Sequence, residues 1–307
     1  MEELLGALGD PVTDPEEEAF LVFSQAIPSR SLGFVSSKAT LLELTVAGRD
    51  LSIHQSPTLL SSNRKEGTTG AVVWSVTPLF AEWIASNNVL AKYGFLSSEA
   101  IILELGCGVA GIVALSLAPQ VKKYVATDQD YVLKLLKQNL AENFPEKAIP
   151  HTKRKQSSKK AKSTRLKEDD TISNIETLLL DWELDSVATI PRFLGQQQAS
   201  GDQDDPVGVD VLIACDCIYN DALIEPFVTT CAQICRLRST SKTQKPTICI
   251  VAQQIRSFEV FESWLKAFHW SFDVWRVPDE LIIDALKANS GFVIHVGILR
   301  EESRPAV

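Results

Sequence analysis

Residues 101–128 read IILELGCGVAGIVALSLAPQVKKYVATD, and this stretch decides the fold. IILEL (101–105) is a short apolar run of the kind a buried parallel strand shows. A glycine turn follows, then the apolar helix VAGIVALSLA (109–118), then a second strand, KYVATD (123–128). Gly106, Gly108 and Gly111 match G-x-G-x-x-G, placed directly after a strand and opening a helix. That context gives the motif its physical sense. The chain turns tightly, the backbone can approach a ligand closely, and the first helical amides face it. Asp128 ends the second strand 22 residues beyond Gly106, where a carboxylate can accept hydrogen bonds from ribose hydroxyls. A dinucleotide and any other adenosine-ribose ligand are served equally by this much.

Working outward, the alternation continues in both directions. YVLKLLKQNLAEN (131–143) is an amphipathic helix. IETLLLDW (175–182), DVLIACD (210–216) and TICIVAQQI (247–255) supply the third, fourth and fifth strands. Helices are expected at 222–237 and 258–268 between and after them. FDVWRV (272–277) and GFVIHVGIL (291–299) form a late strand pair separated by a short helix over 279–287, an arrangement that suits an antiparallel addition at a sheet edge. Upstream, VTPLFAEWIASNNVL (76–90) has helical spacing. The expected fold is α/β, a doubly wound Rossmann-like sheet of seven strands, six parallel and one antiparallel. Residues 1–70 read as an N-terminal extension carrying a hairpin, LLELTV (41–46) and LSIHQ (51–55) around the turn AGRD, and residues 71–307 as the main domain.

Composition bounds the class. The chain has 307 residues, 45% apolar and 22% charged, as in an ordinary globular protein. No apolar run is long enough to span a bilayer, and the first residues are acidic where a targeting peptide would be basic. Six cysteines lie mostly in apolar stretches, which suits reduced thiols in the cytoplasm or nucleus. With four histidines in the chain, Cys231 and Cys235 lack the further ligands a metal site needs, so no metal is expected. The net charge of −9 is uneven. Residues 147–167 hold nine of the 30 Lys and Arg and no acid, so the remainder carries 21 basic against 39 acidic residues. Such a body favours basic partners. The basic stretch reads as a disordered insertion. Weak contact with RNA, or a localisation signal, is the other reading of it. It contains no aromatic residue on which a base could stack.

Chemistry-bearing residues gather at strand ends. Glu104 sits two residues before the first glycine, where a buried carboxylate needs partners and places negative charge beside the ligand. A pyrophosphate disfavours that; a cationic ligand does not. Asp181 and Trp182 end the third strand, an acid and an aromatic able to bond and pack against an adenine ring. Asp216 ends the fourth strand, with Tyr219 one turn on. All of these lie at the carboxyl edge, where open α/β sheets bind ligands.

Together, E-x-G-x-G at 104–108, Asp181-Trp182 and D-x-x-Y at 216–219 resemble the class I seven-stranded S-adenosylmethionine-dependent methyltransferases, in their lysine-directed family 16 branch. The segment GAVVWSVTPLFAEWI (70–84) is similar to a Val-Trp segment of that family. In the extension, DPEEEAF (14–20), LELTVAGRDLSIHQSP (42–57) and GTTGAVVW (67–74) resemble its fungal ribosomal members. The resemblance implies S-adenosyl-L-methionine as cofactor, held by Trp74, Glu104, Gly106, Cys107, Gly108, Asp128, Asp181, Trp182 and Cys215. It implies Asp216 and Tyr219 as catalytic residues at a lysine entry. The implied partner is a basic large-ribosomal-subunit protein, the mobile-stalk protein, with no membrane contact, and a cytoplasmic monomer is expected. A nicotinamide-linked oxidoreductase would leave Glu104 and Asp181-Trp182 unexplained. A non-enzymatic cofactor-binding module, or the same chemistry on another translation factor or a chaperone, stays open at this point.

Overall fold

The structure is a computed structural model and describes residues 1–28, 33–62, 67–144, 174–194, 208–238 and 245–300. The basic stretch 147–167 and the acidic loop around 202–205 lie outside the described residues. Helices α1 (Glu2–Leu8) and α2 (Pro15–Phe23) open the chain, followed by the hairpin β1 (Leu41–Val46) and β2 (Arg49–His54). Then come α3 (Pro57–Leu60), α4 (Val76–Ile84), α5 (Val89–Lys92), β3 (Ile101–Leu105), α6 (Ile112–Leu117), β4 (Lys123–Asp128), α7 (Asp130–Asn143) and β5 (Ile175–Leu179). The chain continues through α8 (Ile190–Phe193), β6 (Val211–Cys215), α9 (Ile224–Arg236), β7 (Ile248–Gln254), α10 (Phe258–Ser271), β8 (Phe272–Arg276) and β9 (Phe292–Leu299).

Seven strands form one sheet in the order β5-β4-β3-β6-β7-β9-β8. Pairing is parallel from β5 through β7, and β9 runs antiparallel to both of its neighbours. This is the expected six-plus-one sheet. Strands β6 and β7 are buried at every position, as strands covered on both faces must be. One face packs on α4, α6, α7 and the hairpin through Phe80, Trp83, Ile112 and Leu136. The other packs on α2, α9 and α10 through Val22, Phe227, Phe261 and Trp264.

The N-terminal segment contributes to both cores. Leu4 and Leu8 of α1 join the first cluster, and Ala19 and Val22 of α2 join the second. Pro15 at the first turn and the Asp14 side chain, which accepts from the Glu16 N–H at 2.8 Å, start α2. Glu18 then reaches the fully buried His295 on β9 at 3.0 Å.

Three helix expectations need correction. The stretch 76–90 is broken: α4 stops at Ile84, and Asn88 caps a separate turn by accepting from the N–H groups of Leu90 and Ala91. The helix expected at 109–118 begins only at Ile112, because Gly111 takes the left-handed conformation at φ 57°. Residues 279–287 form two 3₁₀ turns, Asp279–Leu281 and Asp284–Leu286, rather than one helix. Each turn has three residues and no capping side chain, too short a start to propagate as an α-helix.

Candidate functional site

The chain leaves β3 toward β4 and β5 on one side, then returns to β6 on the other. The strand order therefore reverses between β3 and β6. At such a switch point the connecting loops diverge and open a crevice beyond the carboxyl ends. A cavity of about 400 Å³ lies there. All eleven residues singled out from the sequence line it: Trp74, Glu104, Gly106, Cys107, Gly108, Asp128, Asp181, Trp182, Cys215, Asp216 and Tyr219.

The glycine turn makes the floor. Gly106 and Gly108 have φ 62° and 65°, a region that L side chains avoid. A Cβ on Gly106 would lie 2.8 Å from Cys217 Sγ and 3.2 Å from the Trp182 ring. A Cβ on Gly108 would meet only the Gly70 carbonyl at 3.4 Å, so that glycine leaves its backbone bare toward the cavity. The Gly108 N–H donates to Asp128 Oδ2 at 2.8 Å, and the Gln129 N–H donates to Oδ1 at 2.7 Å. A carboxylate has about four acceptor sites, so Asp128 retains capacity for two hydroxyl donors. Burial raises its pKa to about 6 against the opposing pull of those two amides.

Glu104 is buried beneath the turn, and the Tyr124 hydroxyl donates to its Oε2 at 2.8 Å. Burial pushes its pKa to about 8; the Tyr124 hydrogen bond pulls down and the Asp128 charge adds a smaller upward push. A cation brought into the cavity would ionise it. On the β5 side, Asp181 accepts from Gln129 Nε2 at 2.9 Å and from the Glu183 N–H at 2.9 Å. Trp182 packs edge-on against Phe227, with ring centroids 5.1 Å apart. Burial raises the thiols of Cys107, Cys215 and Cys217, which therefore stay protonated and serve as small apolar wall groups.

The last side is built by β6 and the loop after α3. Asp216 adopts φ 59°, which turns the chain sharply at the strand end. Its carboxylate is buried and bound by Arg256, with Nη1 to Oδ1 at 2.7 Å and Nη2 to Oδ2 at 2.6 Å. The Arg256 guanidinium also lies over the Trp74 ring at 5.0 Å. Trp74 Nε1 donates to the Thr69 carbonyl at 3.0 Å, and its ring packs on Phe34. Tyr219 stays 41% exposed at the rim, its hydroxyl pKa raised by burial.

The residues present fit a ligand with an adenosine ribose and a cationic end. Asp128 offers acceptors beside a bare backbone, Trp182 and Asp181 offer an aromatic wall and an acceptor, and Glu104 offers a buried carboxyl that ionises beside a cation. Sequence reading missed four lining or supporting groups. Arg256 is a charge directly after a fully buried strand, a signal that was available. Gln129 and Tyr131 sit in the first turn after β4. The Thr68–Gly70 segment roofs the glycine turn: the Val109 N–H donates to the Gly70 carbonyl at 2.8 Å, and the Gly70 N–H donates to the Tyr131 hydroxyl oxygen at 3.2 Å.

Residues 53–183 match the family model described as lysine methyltransferase. The ribosomal lysine N-methyltransferase 5 of Vanderwaltozyma polyspora is 30% identical over 258 residues, covering 76% of this chain and 77% of that protein. Its counterpart from Candida glabrata is 28% identical over 248 residues, covering 70% and 68%. A Schizosaccharomyces pombe protein named diaminohydroxyphosphoribosylamino-pyrimidine deaminase is 25% identical over 280 residues, 91% of this chain but 57% of its own length.

Proposed function

Because this chain belongs to the lysine methyltransferase family, we propose that it transfers a methyl group from S-adenosyl-L-methionine to the ε-amine of a lysine on a large-ribosomal-subunit protein. The mobile-stalk protein is the candidate acceptor, and a cytoplasmic site of action goes with it. Among the described residues no helix is long and apolar enough to cross a membrane. The observation that carries the reading is the pairing of the bare Gly108 backbone with the Asp128 carboxylate above the buried Glu104. That set receives ribose hydroxyls and a cation while offering nothing to a pyrophosphate.

When bound, the sulfonium cofactor supplies an activated methyl group. The chain's own residues supply binding and alignment. Asp128 takes the ribose, Trp182 and Asp181 take the adenine, and Glu104 takes the cationic end. Trp74 and Tyr219 flank the opening through which a lysine side chain enters. A lysine ammonium, with a pKa of about 10.4, has no lone pair to attack with. The apolar thiols and aromatic rings of the channel favour the neutral amine by desolvation. Asp216 borders the amine and accepts a hydrogen bond from it.

The test is a labelled-methyl transfer assay on large-subunit proteins from cells lacking this enzyme, run beside Asp216→Ala. One labelled band with wild type and none with the variant is expected, with cofactor affinity of the variant within a few-fold. Mass spectrometry of the band then names the lysine. Absence of label with cofactor binding intact would overturn the ribosomal substrate.

A further inference from the structure

Asp216 lies in the cavity wall, and its carboxylate is not a free acid. Arg256 grips both of its oxygens at 2.6 and 2.7 Å, and the Gln254 N–H donates to Oδ1 at 3.2 Å. The side chain of Asp216 is 1% exposed, against 27% for Arg256. Three of the carboxylate's roughly four acceptor sites are thus taken, leaving one. Arg256 does not line the cavity; it stands behind the wall formed by Trp74 and Asp216. It is held there by the Trp74 ring and by Gln254 Oε1 at 3.1 Å. The N-terminal segment crosses over it at Gly33, whose φ of 91° and contact distance admit no side chain: a Cβ would lie 2.8 Å from Arg256 Nη2.

We propose that Arg256 is a positioning residue that spends the charge of Asp216, so that this carboxylate receives the substrate lysine as a neutral amine instead of trapping it as an ammonium. This rests on reading the chain as a lysine methyltransferase. A buried unpaired carboxylate beside the entry would stabilise the ammonium by direct ion pairing and raise the pKa of the bound lysine. That complex would bind tightly and be unreactive, because the nitrogen lone pair is held by a proton. With a guanidinium already on its far side, the carboxylate has little attraction left for a second cation. Its remaining acceptor site still takes an N–H of the amine and orients the lone pair.

The other titratable groups around this corner do not supply a competing counter-charge. Cys215 and Cys217 flank Asp216, and burial keeps both thiols protonated. Tyr219, one turn on, is likewise held protonated by burial. On β3, Glu104 is engaged by Tyr124, and on β4, Asp128 is engaged by two amides. Glu259, in the first turn of α10, is bound by the Ser257 hydroxyl. The segment carrying Trp74 and Thr77 contributes no charge to the wall.

The experiment measures the pH dependence of methyl transfer at saturating large-subunit protein for wild type, Arg256→Gln and Arg256→Lys. Cofactor binding by calorimetry accompanies each as a check on folding. For Arg256→Gln the expected result is a rise of about one unit in the pKa governing the saturated rate. That corresponds to about a tenfold loss near neutral pH, with a lower KM for acceptor and a recovered rate at alkaline pH. Arg256→Lys, which keeps a cation but grips one oxygen, is expected to shift the profile in the same direction by less. If Arg256→Gln binds no cofactor, the Arg256→Lys profile decides. A lowered rate with an unmoved pH profile, in whichever variant binds cofactor, would overturn the inference alone. Failure of wild type to methylate any large-subunit protein would instead overturn the functional reading, and the inference with it.

Discussion

Tyr124 and Glu104 share a hydrogen bond of 2.8 Å directly under the glycine turn, where both side chains are cut off from solvent. Both strands put these residues on the same face, since Glu104 pairs in register with Ala126, two residues beyond Tyr124. The result is a carboxyl group whose proton affinity is set by burial and whose orientation is set by a phenol.

Cofactor binding should therefore release a proton. With its pKa near 8, Glu104 is mostly protonated at pH 7 in the free protein. A cationic ligand end favours the ionised form and expels that proton. Affinity for S-adenosylmethionine is expected to rise from pH 6 to pH 8.5. Calorimetry in two buffers of different ionisation enthalpy should return close to one proton released at pH 7. A flat affinity across that range would contradict the assignment of Glu104.

The same group sets a stability trend in the free protein. Its folded pKa lies above the ordinary value of 4.5, so the fold binds the proton more tightly than the unfolded chain does. That contribution is complete below about pH 4.5 and is lost as pH rises through 8. Glu104→Gln keeps an acceptor for Tyr124 and has no charge to bury. At pH 9 it should melt above wild type by several degrees, and the gap should close toward pH 5. Thermal melts of both proteins across that range check it, and the variant should also bind cofactor more weakly.

Gly108 and Gly111 share a left-handed backbone but should fail differently when substituted. A side chain at Gly108 meets only the Gly70 carbonyl and then projects into the cavity, so Gly108→Arg should fold and lose cofactor binding. A Cβ at Gly111 would fall 2.8 Å from Leu136 and 2.9 Å from Leu140 in the core. Gly111→Ala should therefore lose about 2 kcal/mol of stability, combining φ strain with overpacking. Denaturant unfolding and cofactor calorimetry on the two variants separate the effects.

Asn139 should matter to both fold and site. Its buried amide donates to the carbonyls of His54 and Val109 and accepts from the His54 N–H, each at 2.8 Å. Asn139→Ala leaves one buried and two part-buried backbone groups without that partner and should destabilise by about 2 kcal/mol. Because Val109 follows the glycine turn, cofactor affinity should fall as well. A stability loss below about 1 kcal/mol in denaturant titration would show that water replaces the amide.

Sequence reading succeeded where one physical effect dominates. Strands β3 and β4 were legible to the residue because apolar runs buried on both faces end where the first charge or glycine must meet the ligand. That Glu104, Asp128, Asp181 and Asp216 meet at one cavity was legible because strand ends converge in any doubly wound sheet, so these residues needed only their strands to be placed. The ends of α4 and α6 were not, since Asn88 and the Gly111 conformation act locally while the apolar pattern runs on past them. Arg256 could be placed at a strand end, but its partners were hidden for another reason. Its role depends on Asp216 forty residues earlier and on Trp74 much earlier still, and neither periodicity nor spacing encodes such a meeting.

Strand β9 is the last of the described strands to be synthesised, yet it lies inside the sheet, hydrogen-bonded to β7 on one side and β8 on the other. The growing chain thus carries an open slot at that position until residues 292–299 emerge, and β8 has no sheet to join before then. His295 brings a further dependence, since α2, made well before the sheet, finds the partner of Glu18 only on β9. A frameshift or premature stop between Gln254 and Phe292 would remove an interior strand and leave an exposed edge on β7, so that a product carrying six of the seven sheet strands, or fewer, would be handled by the cell as an aggregation-prone nascent chain rather than as a shortened enzyme.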